Sequence, residues 1–202
     1  MRFLALGDSY TIGEGVAADA RWPMQLARRL CTPDGVVETP AIVAVTGWTT
    51  DELAAGMDAA GLTPPYDLVS LLIGVNNQYR DRPLGQFANQ FAELLARAVA
   101  LAGDAAGRVF VVSIPDWGVT RFAAEKHVDQ AAVAASIDAF NDAARTIAGH
   151  AGVAFVDVTG VSRQCGAMPE QLAADGLHPS ALQYAAWTDR IAPIAQGILD
   201  TP

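Results

Sequence analysis

One feature constrains this chain more than any other: short, unbroken apolar runs alternate with longer stretches of helical spacing. The runs are 2–6 (Arg-Phe-Leu-Ala-Leu), 41–45 (Ala-Ile-Val-Ala-Val), 67–73 (Asp-Leu-Val-Ser-Leu-Leu-Ile), 108–114 and 153–156. A strand that is apolar at nearly every position is buried on both faces, which a parallel sheet covered by helices provides. Between the runs, helices are predicted over 22–31, with Pro23 near the start, and over 50–60, 84–102, 130–148 and 181–199. In 84–102, Phe87, Phe91, Leu94, Leu95, Ala98 and Leu101 recur at spacings of three and four. Ser180 and Gln183 have capping-box spacing at the last helix, and Pro193 predicts a kink or a split within it. Strand then helix, five times over, predicts an α/β fold, a three-layer α/β/α sandwich. No linker rich in Pro, Gly or Ser divides the 202 residues, so one domain over 1–202 is expected.

Charge and composition exclude several classes. The net charge of −9, with no cluster of Lys and Arg, does not suit a surface that neutralises phosphates, so no nucleic acid partner is expected. No apolar run reaches about 18 residues, so no membrane span is expected. Only Phe3 to Leu6 precede Gly7-Asp8, too few for the apolar core of a secretory leader; a first strand in a cytoplasmic protein is the reading. Cys31 and Cys165 form no CxxC pattern; buried free thiols are expected, with a disulfide as the alternative. No HExxH or His/Cys cluster suggests a metal, and no cofactor is expected. Gly13-Glu14-Gly15-Val16-Ala17-Ala18 matches a degenerate dinucleotide pattern. It begins six residues after Gly7, however, where that fingerprint should already have opened the turn. The sequence carries no signal for an oligomeric state.

In open parallel sheets, ligands bind beyond the carboxyl ends of the strands. Four polar or glycine-rich segments fall at that edge or just before the last helix: Gly7-Asp8-Ser9-Tyr10, Thr46-Gly47-Trp48, Gly74-Val75-Asn76-Asn77 and Asp175-Gly176-Leu177-His178-Pro179. Together they contain what acyl transfer needs. Ser9 offers a hydroxyl nucleophile, and His178 a base that titrates near neutrality. A carboxylate must orient the imidazole: Asp175 can reach from the same loop, while Asp116 and Asp157, after strands four and five, are rivals on physical grounds. The backbone amides of Ser9 and Gly47 and the side chain of Asn76 are candidate oxyanion donors.

These segments resemble the four blocks of the SGNH hydrolases, the superfamily that includes the GDSL esterases and lipases. Tyr10 stands where leucine is commonest, and Asn77 where Asp is frequent. These two departures are expected to bear on pocket shape. The blocks span residues 7 to 179, most of the chain. The resemblance implies a flavodoxin-like five-stranded sheet of order 2-1-3-4-5, a catalytic Ser9–His178–Asp175, and an oxyanion hole from Ser9, Gly47 and Asn76.

Structural roles compete at each position. Ser9 alone would read as a turn cap, Gly47 as a strand end and Asn76 as a turn residue. Asn77 reads as structural, and Asp8 as fixing the serine loop through backbone amides. His127 reads as a solvated helix face and His150 as a helix end. Trp48, Tyr79 and Trp117 are candidate walls of a substrate pocket. Arg80 reads as a partner of Asp81 or another acid, with an anionic substrate group as the alternative. The G-x-S-x-G elbow is absent, with Thr11 at its last position. The expected function is hydrolysis of small or medium acyl esters, a small-molecule substrate, through an acyl-enzyme on Ser9. The alternatives are an acetyl-carbohydrate esterase or thioesterase on the same site, or a silent ligand-binding module.

Overall fold

The computed structural model describes residues 1–30, 35 and 37–201. Strands β1 (Phe3–Gly7), β2 (Ala41–Ala44), β3 (Leu68–Leu72), β4 (Val109–Val112) and β5 (Ala154–Val156) form one sheet of order β2-β1-β3-β4-β5. All neighbours are parallel. Every residue of β1, β3 and β4 is buried, whereas β2 and β5 begin with half-buried residues. That is the difference between inner and edge strands, and it accounts for the all-apolar runs in the sequence.

Among the described residues, nine helices connect and cover the strands: α1 (Ser9–Ile12), α2 (Trp22–Arg29), α3 (Thr50–Ala59), α4 (Val75–Tyr79), α5 (Leu84–Leu101), α6 (Arg121–Glu125), α7 (Gln130–His150), α8 (Thr159–Cys165) and α9 (Ala181–Leu199). Helix α9 packs on α2 and α8, and α5 packs between α3 and α7. The sheet lies between these groups as a three-layer α/β/α sandwich. Phe87, Phe91, Leu94, Leu95 and Ala98 of α5 are buried, as their spacing requires, and Leu101 is half-buried. Phe3 and Phe110, on strands β1 and β4, stack at 6.3 Å, and Trp22 of α2 lies 6.3 Å from Phe3.

Several local expectations are corrected. Pro193 does not split α9, which runs unbroken to Leu199. Pro193 and Asp189, the residue whose carbonyl loses its amide partner, are both exposed, while Trp187, Ile191 and Ala195 bury the other face. Ser180 caps α9 by accepting from the amides of Leu182 and Gln183, but the Gln183 side chain donates to the Gln171 carbonyl rather than closing a capping box. His127 is not on a helix face: it follows α6 in an exposed turn with φ 53°. In the Gly13–Ala18 segment, Gly13 closes α1 and residues 14–17 form the irregular turn that follows, so no helix opens at its glycines after β1. Cys165 is a free, half-buried thiol, and Cys31 lies outside the described residues.

Register brings three strand ends level: Gly7 of β1 pairs with Ala44 of β2 and Leu72 of β3. Strand order reverses between β1 and β3, the switch point where such sheets open a crevice. Gly7 itself is tightly enclosed. A β-carbon there would lie 2.2 Å from Thr11 Oγ1 and 2.5 Å from the Leu72 carbonyl oxygen. Because one neighbour is backbone, Gly7→Ala is expected to lower the unfolding free energy by about 2–3 kcal/mol. The measurement is the urea midpoint at unchanged slope, and a wild-type midpoint would contradict this packing.

Candidate active site

Asp8 sets the serine turn. Its Oδ1 accepts from the Tyr10 amide at 3.0 Å and caps α1, so Ser9 becomes the first residue of a four-residue helix at the end of β1. Backbone bonds from Thr11 and Ile12 to the Asp8 carbonyl close the turn. Ser9 is buried but lines a cavity of about 210 Å³.

Gly47 and Asn76 line the same cavity. Gly47 has φ 89°, a backbone state that side chains resist, and its carbonyl accepts from Arg80 Nη2 at 2.6 Å. Arg80 therefore pins the glycine turn. Its nearby acid is Glu52, at 3.4 Å, and not Asp81. Asn76 is carried by α4, which begins at Gly74 with φ 127°. A β-carbon on Gly74 would lie 2.5 Å from Phe87, so the chain can turn here only without a side chain. Asn76 Nδ2 donates to the Trp48 carbonyl at 2.9 Å, which fixes the amide while leaving its second N–H. Among the described residues, none of the backbone hydrogen bonds bracing these turns uses the Ser9 or Gly47 amide.

His178 and Asp175 meet directly. His178 Nδ1 lies 2.6 Å from Asp175 Oδ2, leaving Nε2 as the free ring nitrogen. Asp175 Oδ1 accepts from the amides of Leu177 (2.9 Å) and His178 (3.0 Å), so one carboxylate holds both loop and ring. Burial pushes the Asp175 pKa up, but the His178 ring and the two amides outweigh it and hold the carboxyl below its usual range. The loop is tied down on both sides: Ala173 donates to the His178 carbonyl at 2.7 Å, and Phe122 donates to the Gly176 carbonyl at 3.0 Å. Behind His178, the buried Tyr10 ring packs 5.7 Å away. No hydrogen bond among the described residues joins Ser9 to His178; they meet as walls of one cavity. Such contacts commonly tighten only when substrate binds.

The rival acids serve elsewhere. Asp116 is buried and paired with Arg163 at 2.8 Å, and Asp157, just before α8, accepts from the Thr159 amide at 2.8 Å. Asn77 is structural: it accepts from the Thr50 amide (3.1 Å) and donates to the Thr50 hydroxyl (2.7 Å), tying α4 to α3. Neither Tyr10 nor Asn77 lines the cavity, so the two departures from the family pattern act behind the site and do not shape the pocket.

Tyr79 and Trp117 are cavity walls as expected, but Trp48 is not. Its indole lies against α3, where a β-carbon on Gly56 would come within 2.1 Å of Cη2, and only its carbonyl serves the site. Thr46, Val75, Phe122 and Leu177 also line the cavity and were not singled out from sequence. Phe122 carried a usable signal, being an aromatic beyond β4 only five residues after Trp117. Among the described residues no cluster of His, Cys, Asp or Glu could hold a metal, and no helix is long and apolar enough to cross a membrane.

Known proteins resemble this arrangement as a whole. The family model described as GDSL-like lipase/acylhydrolase matches residues 5–186. No curated protein matches the chain significantly by sequence. Among solved structures, TesA superposes with a TM-score of 0.76 at 19% identity, over 98% of this chain and 100% of its own. The psychrotrophic esterase EstA from Pseudoalteromonas sp. has a TM-score of 0.72 at 14% identity, over 99% of each chain. Axe2, an acetylxylan esterase from Geobacillus stearothermophilus, has a TM-score of 0.68 at 18% identity, over 100% of this chain and 94% of its own. At these identities the likeness is one of fold.

Asp8 carries a pH-dependent consequence. It is fully buried, and its Oδ2 has no hydrogen-bond partner among the described residues. Burial raises its pKa from 3.8 to about 7, against the Tyr10 amide, which lowers it. A carboxyl with a raised folded pKa favours folding while protonated, so this contribution is full below the unfolded value and is lost as pH rises through about 7. Asp8→Asn keeps an acceptor for Tyr10 and removes the charge. Thermal melts from pH 4 to 8 should show wild type losing stability across that window relative to Asp8→Asn; parallel curves would contradict a protonated Asp8.

Proposed function

Because the chain belongs to the GDSL-like lipase/acylhydrolase family, we propose that it cleaves carboxylic esters of small or medium acyl groups through an acyl-enzyme on Ser9. The observation that carries this reading is the Asp175–His178 pair, 2.6 Å apart, reaching the cavity that Ser9, Gly47 and Asn76 also line.

Ser9 Oγ attacks the ester carbonyl carbon while His178 Nε2 takes its proton. Asp175, held ionised by the bonds that lower its pKa, keeps Nδ1 protonated and stabilises the imidazolium. The carbonyl oxygen gains negative charge and accepts from the Ser9 and Gly47 amides and Asn76 Nδ2. Collapse breaks the ester bond; the alcohol leaves with the proton from Nε2, and Ser9 is acylated. Water then gives a proton to Nε2, attacks the acyl carbon, and Ser9 recovers its proton as the acid departs.

The same atoms would serve an O-acetylated sugar or an acyl thioester. The apolar walls Val75, Tyr79, Trp117, Phe122 and Leu177 favour an apolar group over a sugar. A silent binding module is disfavoured because the nucleophile, base and orienting acid are all present.

The test is hydrolysis of p-nitrophenyl acetate and butyrate together with labelling by a fluorophosphonate probe. Ser9→Ala should abolish labelling and lower kcat by several orders of magnitude, and Asn76→Ala should lower it about 10²–10³-fold. Equal turnover by wild type and Ser9→Ala would overturn the proposal.

A further inference from the structure

Three aromatic side chains form a continuous wall of the cavity beside Ser9. Tyr79 and Trp117 meet edge to face at 5.2 Å and 71°, and Trp117 and Phe122 at 6.4 Å and 64°. Trp117 is locked in place: it is buried, and its indole Nε1 donates to buried Gln78 at 2.9 Å. The turn beneath it is fixed by Asp116, which accepts from the Gly118 amide and pairs with Arg163. Phe122 is held through the hydrogen bond its backbone N–H donates to the Gly176 carbonyl, in the loop that carries His178. Tyr79 is 54% exposed, so its ring stands at the mouth. The ten cavity-lining residues include no Lys, Arg, Asp or Glu.

We propose that this corner receives a single uncharged aromatic ring of the ester, so that aryl-bearing esters are the preferred substrate class; the proposal rests on the ester-hydrolase reading above. Three physical arguments converge. Aromatic pairs in edge-to-face or offset geometry attract beyond what their buried area supplies, because the positive ring edge meets the negative ring face. A ring placed against Tyr79 and Phe122 extends a series of such contacts already present in the protein. At about 210 Å³ the cavity falls below the roughly 300–1,000 Å³ usual for drug-sized ligands, which suits one ring and not a long chain. None of the lining residues is Lys or Arg, and nearby Arg80 is engaged by the Gly47 carbonyl and Glu52, so at a net charge of −9 the cavity wall itself offers a carboxylate-bearing acyl group no cation.

A saturated ring of similar size buries similar area but lacks the quadrupole, so matched pairs isolate the effect. Ethyl phenylacetate against ethyl cyclohexylacetate places the ring on the acyl side; benzyl acetate against cyclohexylmethyl acetate places it on the alcohol side. In at least one pair the aromatic member should have a kcat/KM higher by about three- to tenfold. That ratio should fall toward one in Tyr79→Leu or Phe122→Leu, whatever their absolute rates. Ratios near one in both wild-type pairs, or a ratio unchanged in both variants, would overturn the proposal. Calorimetric binding of the corresponding amides (phenylacetamide against cyclohexylacetamide, and N-benzylacetamide against N-cyclohexylmethylacetamide) needs no turnover. Ring preference in binding without any ester hydrolysis would support the aromatic corner and count against the hydrolase reading. Hydrolysis of p-nitrophenyl acetate without ring preference in either assay would do the reverse.

Discussion

The close approach of the chain to itself at Gly7 is the constraint on which the site depends. The last residue of β1 must pass between the Leu72 carbonyl of β3 and the Thr11 side chain of α1, with no room for a β-carbon. This allows a helical turn to start after a single intervening residue, Asp8, beyond a buried inner strand. Asp8 then caps that turn from a fully buried position. Ser9 is thus held by backbone geometry at the point where strand order reverses, and a loop alone would hold it less firmly.

Similar restraint is applied at each other site residue, by different means. Arg80 fixes the carbonyl of Gly47, the Trp48 carbonyl fixes the amide of Asn76, and Asp175 divides its two oxygens between the His178 ring and the loop amides. Farther out, Ser113, Asn141 and Thr159 form a buried hydrogen-bonded network at the end of β4 that links β4 to α7 and α8. That network lies just before Asp116 and Trp117, so the apolar wall rests on a polar foundation.

What could be read from sequence follows from period and chemistry. The inner strands were legible because burial on both faces leaves only apolar residues, and α5 because its apolar stripe is long. The four chemical segments were legible because three fall at strand ends and the fourth just before the last helix, and each supplies a group acyl transfer requires. Helices α1, α4, α6 and α8 were not, since four to seven residues are too few for a helical period to show. The direction of Trp48 was not, because the sequence next to Gly47 does not say which way an indole turns; the space above Gly56 decides it. Pro193 misled because the rule against proline within helices assumes a buried, needed hydrogen bond, and here the freed carbonyl belongs to exposed Asp189.

His178 stands immediately before Pro179, Ser180 and the long helix α9, which packs on α2 near the other end of the chain. This order has a consequence for biosynthesis. Ser9, Gly47 and Asn76 leave the ribosome long before the base that would activate the serine. The Asp175–His178 loop joins α9 through Pro179 and Ser180, and α9 packs on α2. Until residues 175–178 have been made, a nascent chain carries the serine of the proposed site without its base and orienting acid. Helix α9 also contributes Trp187 and Ile191 to the core, so the proposed chemistry depends on a segment that the core itself needs.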